Sequence, residues 1–229
     1  MSSLNLDEIR ASIEEWIRIE SPTSDPAAVN RMMSRAEADY LCFGARVERI
    51  PGRDGFGDHL LTVVDSTCRA EDREGPGIMV LSHLDTVHPL GSIERDNPLR
   101  IEGDQLFGPG AEDMKGGTHI ALAAARQLVR EGRRTHLPIR HLMVSDEEMG
   151  SPTSREHIER EARRARYVIV TEPARLGGKI VTARKGLGQF TVTARGKPAH
   201  AGAEHHLGVS AIREMAHQVL ALEAMTDYA

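Results

Sequence analysis

The residues with the clearest chemical potential follow a short apolar run. Gly77–Leu81 is continuous and apolar, which is typical of a strand buried on both faces, and Ser82-His83-Leu84-Asp85 comes directly after it. Side chains alternate between the two faces of a strand, so His83 and Asp85 are expected to project the same way. This spacing would let His83 bind a metal ion while Asp85 holds the second ring nitrogen.

A glycine-rich segment further along the chain offers a second candidate ligand. Asp113 lies in Gly108-Pro109-Gly110-Ala111-Glu112-Asp113-Met114-Lys115-Gly116-Gly117, just before a predicted helix. Glycines permit tight or left-handed backbone conformations, so such a turn can carry a carboxylate into a site. Taken alone, however, a His-x-Asp sequence is more often a solvated or hydrogen-bonded pair, and a glycine-rich segment is most often only a turn.

Two acidic motifs follow later strands. Glu147 and Glu148 come after a strand predicted over 138–145, and Glu172 comes after a strand predicted over 167–170. One of the paired glutamates could bind metal while the other acts as a general base, although an exposed acidic loop is the simpler interpretation of that motif alone. Three strand ends in one sheet would nevertheless bring these groups to one edge, and chance would rarely align them.

Together these groups predict a site for two divalent cations. Two such ions about 3.5 Å apart need a bridging carboxylate, and Asp113, between the His83 and Glu148 segments, is the natural choice. A metal pair lowers the pKa of a bridging water and polarises a carbonyl group, which suits amide hydrolysis. A set of carboxylates with one imidazole is compatible with zinc, and also with cobalt or manganese.

The elements expected to position these groups alternate between helices and strands. Helical spacing and capping residues predict helices near 5–21, 25–41, 115–131 and 154–165, and apolar or alternating runs predict strands near 46–50, 59–65, 77–81, 105–107, 138–145 and 167–170. This alternation indicates an α/β fold, in which a mostly parallel sheet is flanked by helices and carries the active groups at its C-terminal edge.

The pattern changes near residue 179. Ile180–Arg184 and Gln189–Arg195 alternate like antiparallel strands joined by a turn at Lys185–Gly188, and a further helix is predicted from about Gly208. We therefore expect residues 1–178 to form the N-terminal part of a catalytic, metal-binding domain. Residues 179–229 would begin a second, α+β domain.

Composition favours an ordinary globular protein. The 229 residues are 40% hydrophobic and 28% charged, with a net charge of −5 and both signs mixed along the chain, so neither a nucleic-acid partner nor a membrane surface is expected. The N-terminal segment has no basic start followed by an apolar stretch, which predicts a cytoplasmic location. Cys42 and Cys68 are too few and too far apart for a cysteine-type zinc site.

The order of the motifs resembles the M20 family of metallopeptidases, which includes glutamate carboxypeptidases, aminoacylases, acetylornithine deacetylase and succinyl-diaminopimelate desuccinylase. The matching segments are His-Leu-Asp-Thr-Val, Gly-x-Gly-x-x-Asp-Met-Lys-Gly-Gly, Asp-Glu-Glu-x-Gly-Ser, Glu-Pro and Gly-Lys-x-x-His-Ala-Gly, between Ile78 and about Val219. The last of these looks closest to the glutamate carboxypeptidase branch. The resemblance implies a zinc-exopeptidase-like catalytic domain followed by the start of a dimerisation domain.

The resemblance also implies a role for each site residue. The metal ligands would be His83, Asp113, Glu148 and Glu172, with Asp113 bridging. Asp85 would orient His83, and Glu147 would be the general acid and base. His200 is similar to the family's histidine on the dimerisation domain, which reaches a partner subunit's active site and helps to stabilise the oxyanion. Without the resemblance, His200 is better interpreted as a loop residue.

The implied function is metal-dependent hydrolysis of an amide or peptide bond next to a free carboxylate, in a small peptide or an N-acyl amino acid, by a homodimer. Two departures from the family are visible. Pro109 stands where members have arginine or a similar residue, and members continue beyond the equivalent of Ala229 to a segment that supplies a further histidine ligand. The chain is therefore expected to be an N-terminal portion. The alternative is a non-catalytic fragment or pseudoenzyme that binds at most one metal ion.

Overall fold

The computed structural model describes residues 4–65 and 68–227. Within them, the residues up to Ile180 form one compact unit and those from Val181 form a second. The domains expected from the sequence begin and end at residues 1 and 229, which lie outside the described ranges. No helix in these ranges is both long and apolar enough to cross a lipid bilayer.

The first unit alternates helices and strands along the chain. Its helices are α1 (Leu6–Ile17), α2 (Pro26–Leu41), α3 (Gly116–Arg130) and α4 (Arg155–Arg163). Its strands are β1 (Arg46–Ile50), β2 (His59–Val63), β3 (Gly77–His83), β4 (Arg100–Glu102), β5 (Gln105–Phe107), β6 (Ile139–Val144) and β7 (Ala165–Val170). The first two helices begin where capping chemistry predicts, because the side chains of Asn5 and Asp25 accept the backbone N–H groups of Glu8 and Ala28.

Five of these strands form a sheet in the order β1-β2-β6-β3-β7. β2 is antiparallel to both of its neighbours, whereas β6, β3 and β7 pair in parallel. Among the described strands of this sheet, four therefore run in one direction and β2 alone is reversed. The mixed, mostly parallel sheet confirms the predicted α/β fold class.

Helices cover both faces of the sheet, as the alternation of side chains requires. Leu60 and Met143 pack in a core with residues of α1, α2 and α3, including Trp16. Their chain neighbours Leu61 and Leu142 lie in a second core, against which residues of α4 pack. Consecutive apolar residues on β2 and β6 thus serve opposite faces, which explains why each strand contains adjacent apolar residues in the sequence.

Two parts of the sequence-based prediction need correction. Arg100–Glu102, for which no strand is predicted, is strand β4, and it pairs with the predicted strand β5 in a separate antiparallel hairpin. The two strands predicted over Ile180–Arg184 and Gln189–Arg195 are wrong, since no strand is assigned to this part of the described chain. Alternation alone does not make a strand: Ile180 and Phe190 are 83% and 91% exposed, so this segment has no apolar face packed against a core.

The second unit contains helix α5 (Ala211–Glu223). Ser210 caps its N-terminus, because its hydroxyl accepts the backbone N–H of Arg213. Before the helix, Lys197 and Val209 exchange backbone hydrogen bonds of 2.9 Å and close a loop that contains His200.

Candidate metal centre

The parallel strands bring three chain segments to one edge of the sheet. β3 lies between β6 and β7, so their C-terminal ends are neighbours. His83 is the last residue of β3, Glu147 and Glu148 lie in a short turn after β6, and Glu172 is two residues beyond β7. A fourth segment, the irregular turn Ala111–Lys115 before α3, carries Asp113 to the same place.

Carboxylates surround one nitrogen of a buried imidazole. His83 Nε2 lies 2.9 Å from Asp113 Oδ1, 3.6 Å from Glu172 Oε1 and 3.8 Å from Glu147 Oε2. Two trios have ligand atoms within 4.8 Å of one another: His83 with Glu147 and Glu172, and His83 with Asp113 and Glu148. The His83 side chain is 1% exposed and that of Asp113 is 57% exposed, so the cluster has a buried base and a solvent-facing side.

Asp85 lies behind this cluster and is fully buried. Its Oδ2 accepts the hydroxyl of Thr23 at 2.8 Å and the backbone N–H of Glu148 at 3.3 Å, while its Oδ1 accepts the backbone N–H of Glu147 at 3.3 Å. His83 Nδ1 lies 2.9 Å from the Asp85 carbonyl oxygen and 3.5 Å from Oδ1. Asp85 therefore holds the paired-glutamate turn as well as the histidine, a function that its spacing from His83 did not predict.

Charge and burial shift the pKa values of several groups in this cluster. Burial opposes protonation of His83, but the hydrogen bond and charge of Asp85 outweigh it and raise the histidine pKa to about 10. Burial, together with the negative charges of Asp113, Asp85 and Glu147, raises the pKa of Glu148 to about 7 against the opposing effect of His83. Burial and nearby carboxylates also raise the pKa of Glu172. The carboxylates repel one another, and a bound cation would relieve that repulsion.

The turn that carries Asp113 depends on close packing. Gly110 has φ +70°, and a Cβ at Gly117 would lie 1.9 Å from the carbonyl oxygen of Thr171. The side chain of Lys115 is buried, and its Nζ donates a hydrogen bond of 2.7 Å to the carbonyl oxygen of Ile19. The glycines of the motif thus allow α3 to start directly against the segment that bears Glu172.

Some residues of the site were not found from the sequence. Thr23 contacts Asp85 from a position 62 residues earlier, and the sulfur of Met114 accepts the backbone N–H of His83 at 3.3 Å. No spacing rule links such distant positions. His200 lies in the second unit, where it is exposed and its Nδ1 accepts the backbone N–H groups of Gly202 and Ala203.

A cavity of about 530 Å³ includes Asp113 in its lining. Its lining combines polar side chains with the hairpin strand β5 and includes His88, Asn97, Gln105 and Phe107. A molecule in this cavity would therefore lie beside Asp113.

The comparison with known families agrees with this geometry. The profile of Peptidase family M20/M25/M40 matches residues 79–228, a range that includes every predicted site residue. The chain belongs to this family. The predicted resemblance is thereby confirmed, and membership implies that the protein binds divalent metal.

Curated relatives match from about half to nearly all of the chain. Carboxypeptidase G2 from Pseudomonas sp. (strain RS-16) is 33% identical over 220 residues, which are 95% of this chain and 51% of that protein. A succinyl-diaminopimelate desuccinylase from a Nitratiruptor species is 34% identical over 137 residues, which are 56% of this chain and 36% of that protein. The chain spans about half the length, or less, of these relatives.

Solved structures share the fold at lower identity. A tripeptidase from Staphylococcus aureus superposes with a TM-score of 0.67 at 19% identity, over 94% of this chain and 56% of that chain. Human carnosine dipeptidase 1 superposes with a TM-score of 0.60 at 20% identity, over 73% of this chain and 39% of that chain. These likenesses concern the fold alone.

Proposed function

We propose that this chain carries the metal site of a hydrolase that cleaves an amide or peptide bond next to a free carboxylate. The observation that carries the proposal is the meeting of one buried imidazole with four carboxylates, from three further segments of the chain, at one edge of the sheet. Membership of the family and likeness to a carboxypeptidase and a desuccinylase support the reaction class. The substrate is accordingly a small peptide or an N-acyl amino acid.

The donor set fits divalent cations. Imidazole nitrogen and carboxylate oxygen are both good ligands for zinc, and also for cobalt or manganese. Burial, and then neighbouring negative charges, raise the pKa values of Glu148 and Glu172, and a bound cation would favour the charged forms of both carboxylates. The two trios share His83, so the second ion of the proposed pair would be held by carboxylate oxygens of the cluster alone.

We assign this site to two zinc ions, with cobalt and manganese as alternatives. Asp113 would contact both ions, and the remaining ligands would be His83, Glu148 and Glu172. Metal ions in such a site act as Lewis acids toward a carbonyl oxygen and lower the pKa of water. The protein's part is to fix the ligands, which Asp85 does from behind.

Glu147 is the residue to which we assign proton transfer. Its side chain is 48% exposed, its Oε2 lies 3.8 Å from His83 Nε2, and its backbone N–H is held by Asp85. From that position a carboxylate oxygen can take a proton from the attacking water as the new C–O bond forms. It can then give this proton to the leaving nitrogen as the C–N bond breaks, which yields a carboxylic acid and an amine.

His200, in the second unit, is the residue to which we assign stabilisation of the substrate oxyanion. Because its Nδ1 accepts two backbone N–H groups, the neutral ring carries its proton on Nε2, which is exposed and could donate to a substrate oxyanion. We assign residues 1–178 to the catalytic domain and 179–229 to the start of a dimerisation domain. We further propose that the protein is a homodimer, in which His200 would act in the partner's site, and that it is cytoplasmic.

The test is the substitution Glu147→Gln, assayed for hydrolysis of N-acyl glutamates and for Co²⁺ affinity. Loss of the proton acceptor should lower kcat by about 10²- to 10⁴-fold, while the ligand oxygens of Asp113 and Glu148 keep the metal bound. Glu156→Gln on the exposed face of α4 makes the same charge change away from the cluster and should leave both measurements unaltered. Unchanged turnover in E147Q with intact metal binding would exclude the assigned role.

The rival expectation, a non-catalytic fragment or pseudoenzyme, is not favoured. Five potential ligands lie together in the described residues, and the family match covers all of them. A pseudoenzyme would be expected to have lost one or more of these groups. Failure of the chain to bind any divalent metal would restore this alternative.

A further inference from the structure

Four polar side chains, three of them buried and the fourth, Thr171, half-buried, form a continuous hydrogen-bonded network in the first unit. Tyr40 Oη lies 2.5 Å from His141 Nδ1, and His141 Nε2 lies 2.6 Å from Ser82 Oγ. Ser82 Oγ in turn lies 2.7 Å from Thr171 Oγ1. These four residues, here called the buried polar network, connect α2 with β6, β3 and the segment after β7.

The network ends next to two proposed metal ligands. Ser82 directly precedes His83, and Thr171 directly precedes Glu172. The backbone pairing of β3 with β7 ends at Leu81, whose carbonyl oxygen accepts the N–H of Thr171 at 3.2 Å. The side-chain bond from Ser82 to Thr171 therefore continues the connection between the two strands beyond the last backbone bond of the sheet.

Side-chain direction places the network behind the site. Residues one apart on a strand project to opposite faces, so Ser82 points away from the face to which His83 points. The register pairs Ser82 with Met143 and Val80 with His141, which puts Ser82 and His141 on the same face. The network contacts no metal ligand side chain directly, and any effect on the ligands must pass through the backbone of β3 and β7.

Burial of these polar side chains has a free-energy cost, so their presence in the core indicates a function. Tyr40, Ser82 and His141 are at most 2% exposed, and apolar side chains could fill the same space without hydrogen-bond partners. Burial lowers the pKa of His141 to about 3, so its ring is neutral, with one nitrogen that donates and one that accepts. By contrast, His119 lies buried in the same part of the molecule with no partner for either ring nitrogen among the described residues.

We infer that Ser82, His141 and Thr171 are positioning residues, which fix the distance between His83 and Glu172 and thereby set the affinity of the site for divalent metal. A ligand pair held at the ends of two strands is only as rigid as the bond between those ends. The Ser82–Thr171 bond supplies that rigidity, and His141 orients the Ser82 hydroxyl toward Thr171. The inference rests on the proposed metal site and adds residues that are not themselves ligands.

The first experiment compares Thr171→Val with Thr171→Ser in the full chain, with Co²⁺ as the only added metal. Valine has the shape of threonine without the hydroxyl, whereas serine keeps the hydroxyl. We expect T171V to weaken Co²⁺ binding by about 10- to 100-fold, the usual range for groups that orient ligands. T171S should bind within a few-fold of the parent, and its visible Co²⁺ spectrum should match that of the parent.

A second pair separates positioning from general loss of stability. His141→Phe and His119→Phe each remove a buried imidazole of the same unit, but only the first breaks the network. Both variants are measured by urea unfolding and by Co²⁺ titration. We expect H141F to lower Co²⁺ affinity and H119F to leave it unchanged, whatever the two unfolding midpoints are. Equal loss of affinity in both, or none in T171V, would overturn the inference.

The outcomes also distinguish this inference from the proposed function. If the parent binds Co²⁺ and the network variants bind it equally well, the metal site stands and the positioning role is refuted. If the parent binds no Co²⁺, the proposed metal site fails and the inference fails with it. A double variant S82A/T171V should lose no more affinity than T171V alone, because both changes break the same bond.

Discussion

The substitution Asp85→Asn tests whether one buried carboxylate assembles the site. Asn has the same shape but replaces one oxygen by an NH₂ group, which donates and cannot accept. If the NH₂ group takes the place of Oδ2, it faces the hydroxyl of Thr23 and the backbone N–H of Glu148. If it takes the place of Oδ1, it faces the backbone N–H of Glu147.

The expected magnitude follows from this geometry. A hydroxyl can rotate to accept, but a backbone N–H cannot, so either orientation of Asn leaves one N–H of the glutamate turn opposed by another donor. An unsatisfied buried group costs about 1 to 3 kcal/mol, and the turn must bear this cost or move. If metal binding requires the present geometry of the turn, the same energy appears as a loss of affinity of about 5- to 150-fold.

Cobalt titration of D85N beside Asp58→Asn provides the assay. Asp58 also accepts a backbone N–H, that of Gly52 at 2.8 Å, and pairs with Arg49, but it contacts no residue of the metal trios. D58N should therefore lower the free energy of unfolding without changing Co²⁺ affinity, whereas D85N should lower both. Parent-like Co²⁺ affinity in D85N would refute the idea that Asp85 holds the ligand turn.

Three further predictions concern stability and protonation. Burial lowers the pKa of His119 to about 4; the group therefore stabilises the fold above its unfolded pKa of about 6.5, and this stability is lost as pH falls, by about 2 kcal/mol at pH 5. Between pH 7 and pH 5, the free energy of unfolding measured with urea should fall by about 2 kcal/mol less in His119→Phe than in the parent. An equal fall in the two proteins would contradict the assignment. Gly117→Ala would put a Cβ 1.9 Å from a backbone oxygen just beyond β7 and should lower both stability and Co²⁺ affinity, whereas Gly132→Ala, with nothing within 4 Å of its Cβ, should cost only stability. Finally, the pKa is about 10 for His83 and about 7 for Glu148. Metal binding at pH 7.5 should therefore release at least one proton per site, and it should weaken at lower pH. Calorimetry in buffers of different ionisation enthalpy measures the proton release. Proton uptake would contradict this.

The fold was largely predictable because its signals are local. Capping by Asn5 and Asp25, the apolar run of β3, and the breaks to polar residues at strand ends are all properties of short segments. The prediction was wrong at residues 180–195, where alternation was present but no packed face accompanies it. Strand formation depends on a partner and a buried face, and neither is encoded in the period-two pattern itself.

The candidate ligands were predictable for a related reason, and the groups that hold them were not. Parallel strands place their C-terminal ends together, so polar residues at three such ends must be neighbours once the sheet order is known. Thr23, Ser82 and His141 contribute through contacts that span 59 to 62 positions, and serine, threonine and histidine are common in many settings. Their function depends on which faces meet across layers, which periodicity does not specify.

The position of Asp85 also explains how a concentration of negative charge can exist before metal arrives. Asp113, Glu147, Glu148 and Glu172 would move apart in a loosely held loop, because each raises the free energy of the others' charged forms. Here the paired-glutamate turn is held by its backbone N–H groups, which donate to Asp85, so the turn cannot move away from the cluster without breaking these hydrogen bonds. The fold thus holds mutually repelling carboxylates together at the sheet edge, and a bound divalent cation would reduce this repulsion. Metal affinity and fold rigidity are therefore coupled, and a substitution that loosens the backbone behind the site should weaken metal binding even when every ligand is retained.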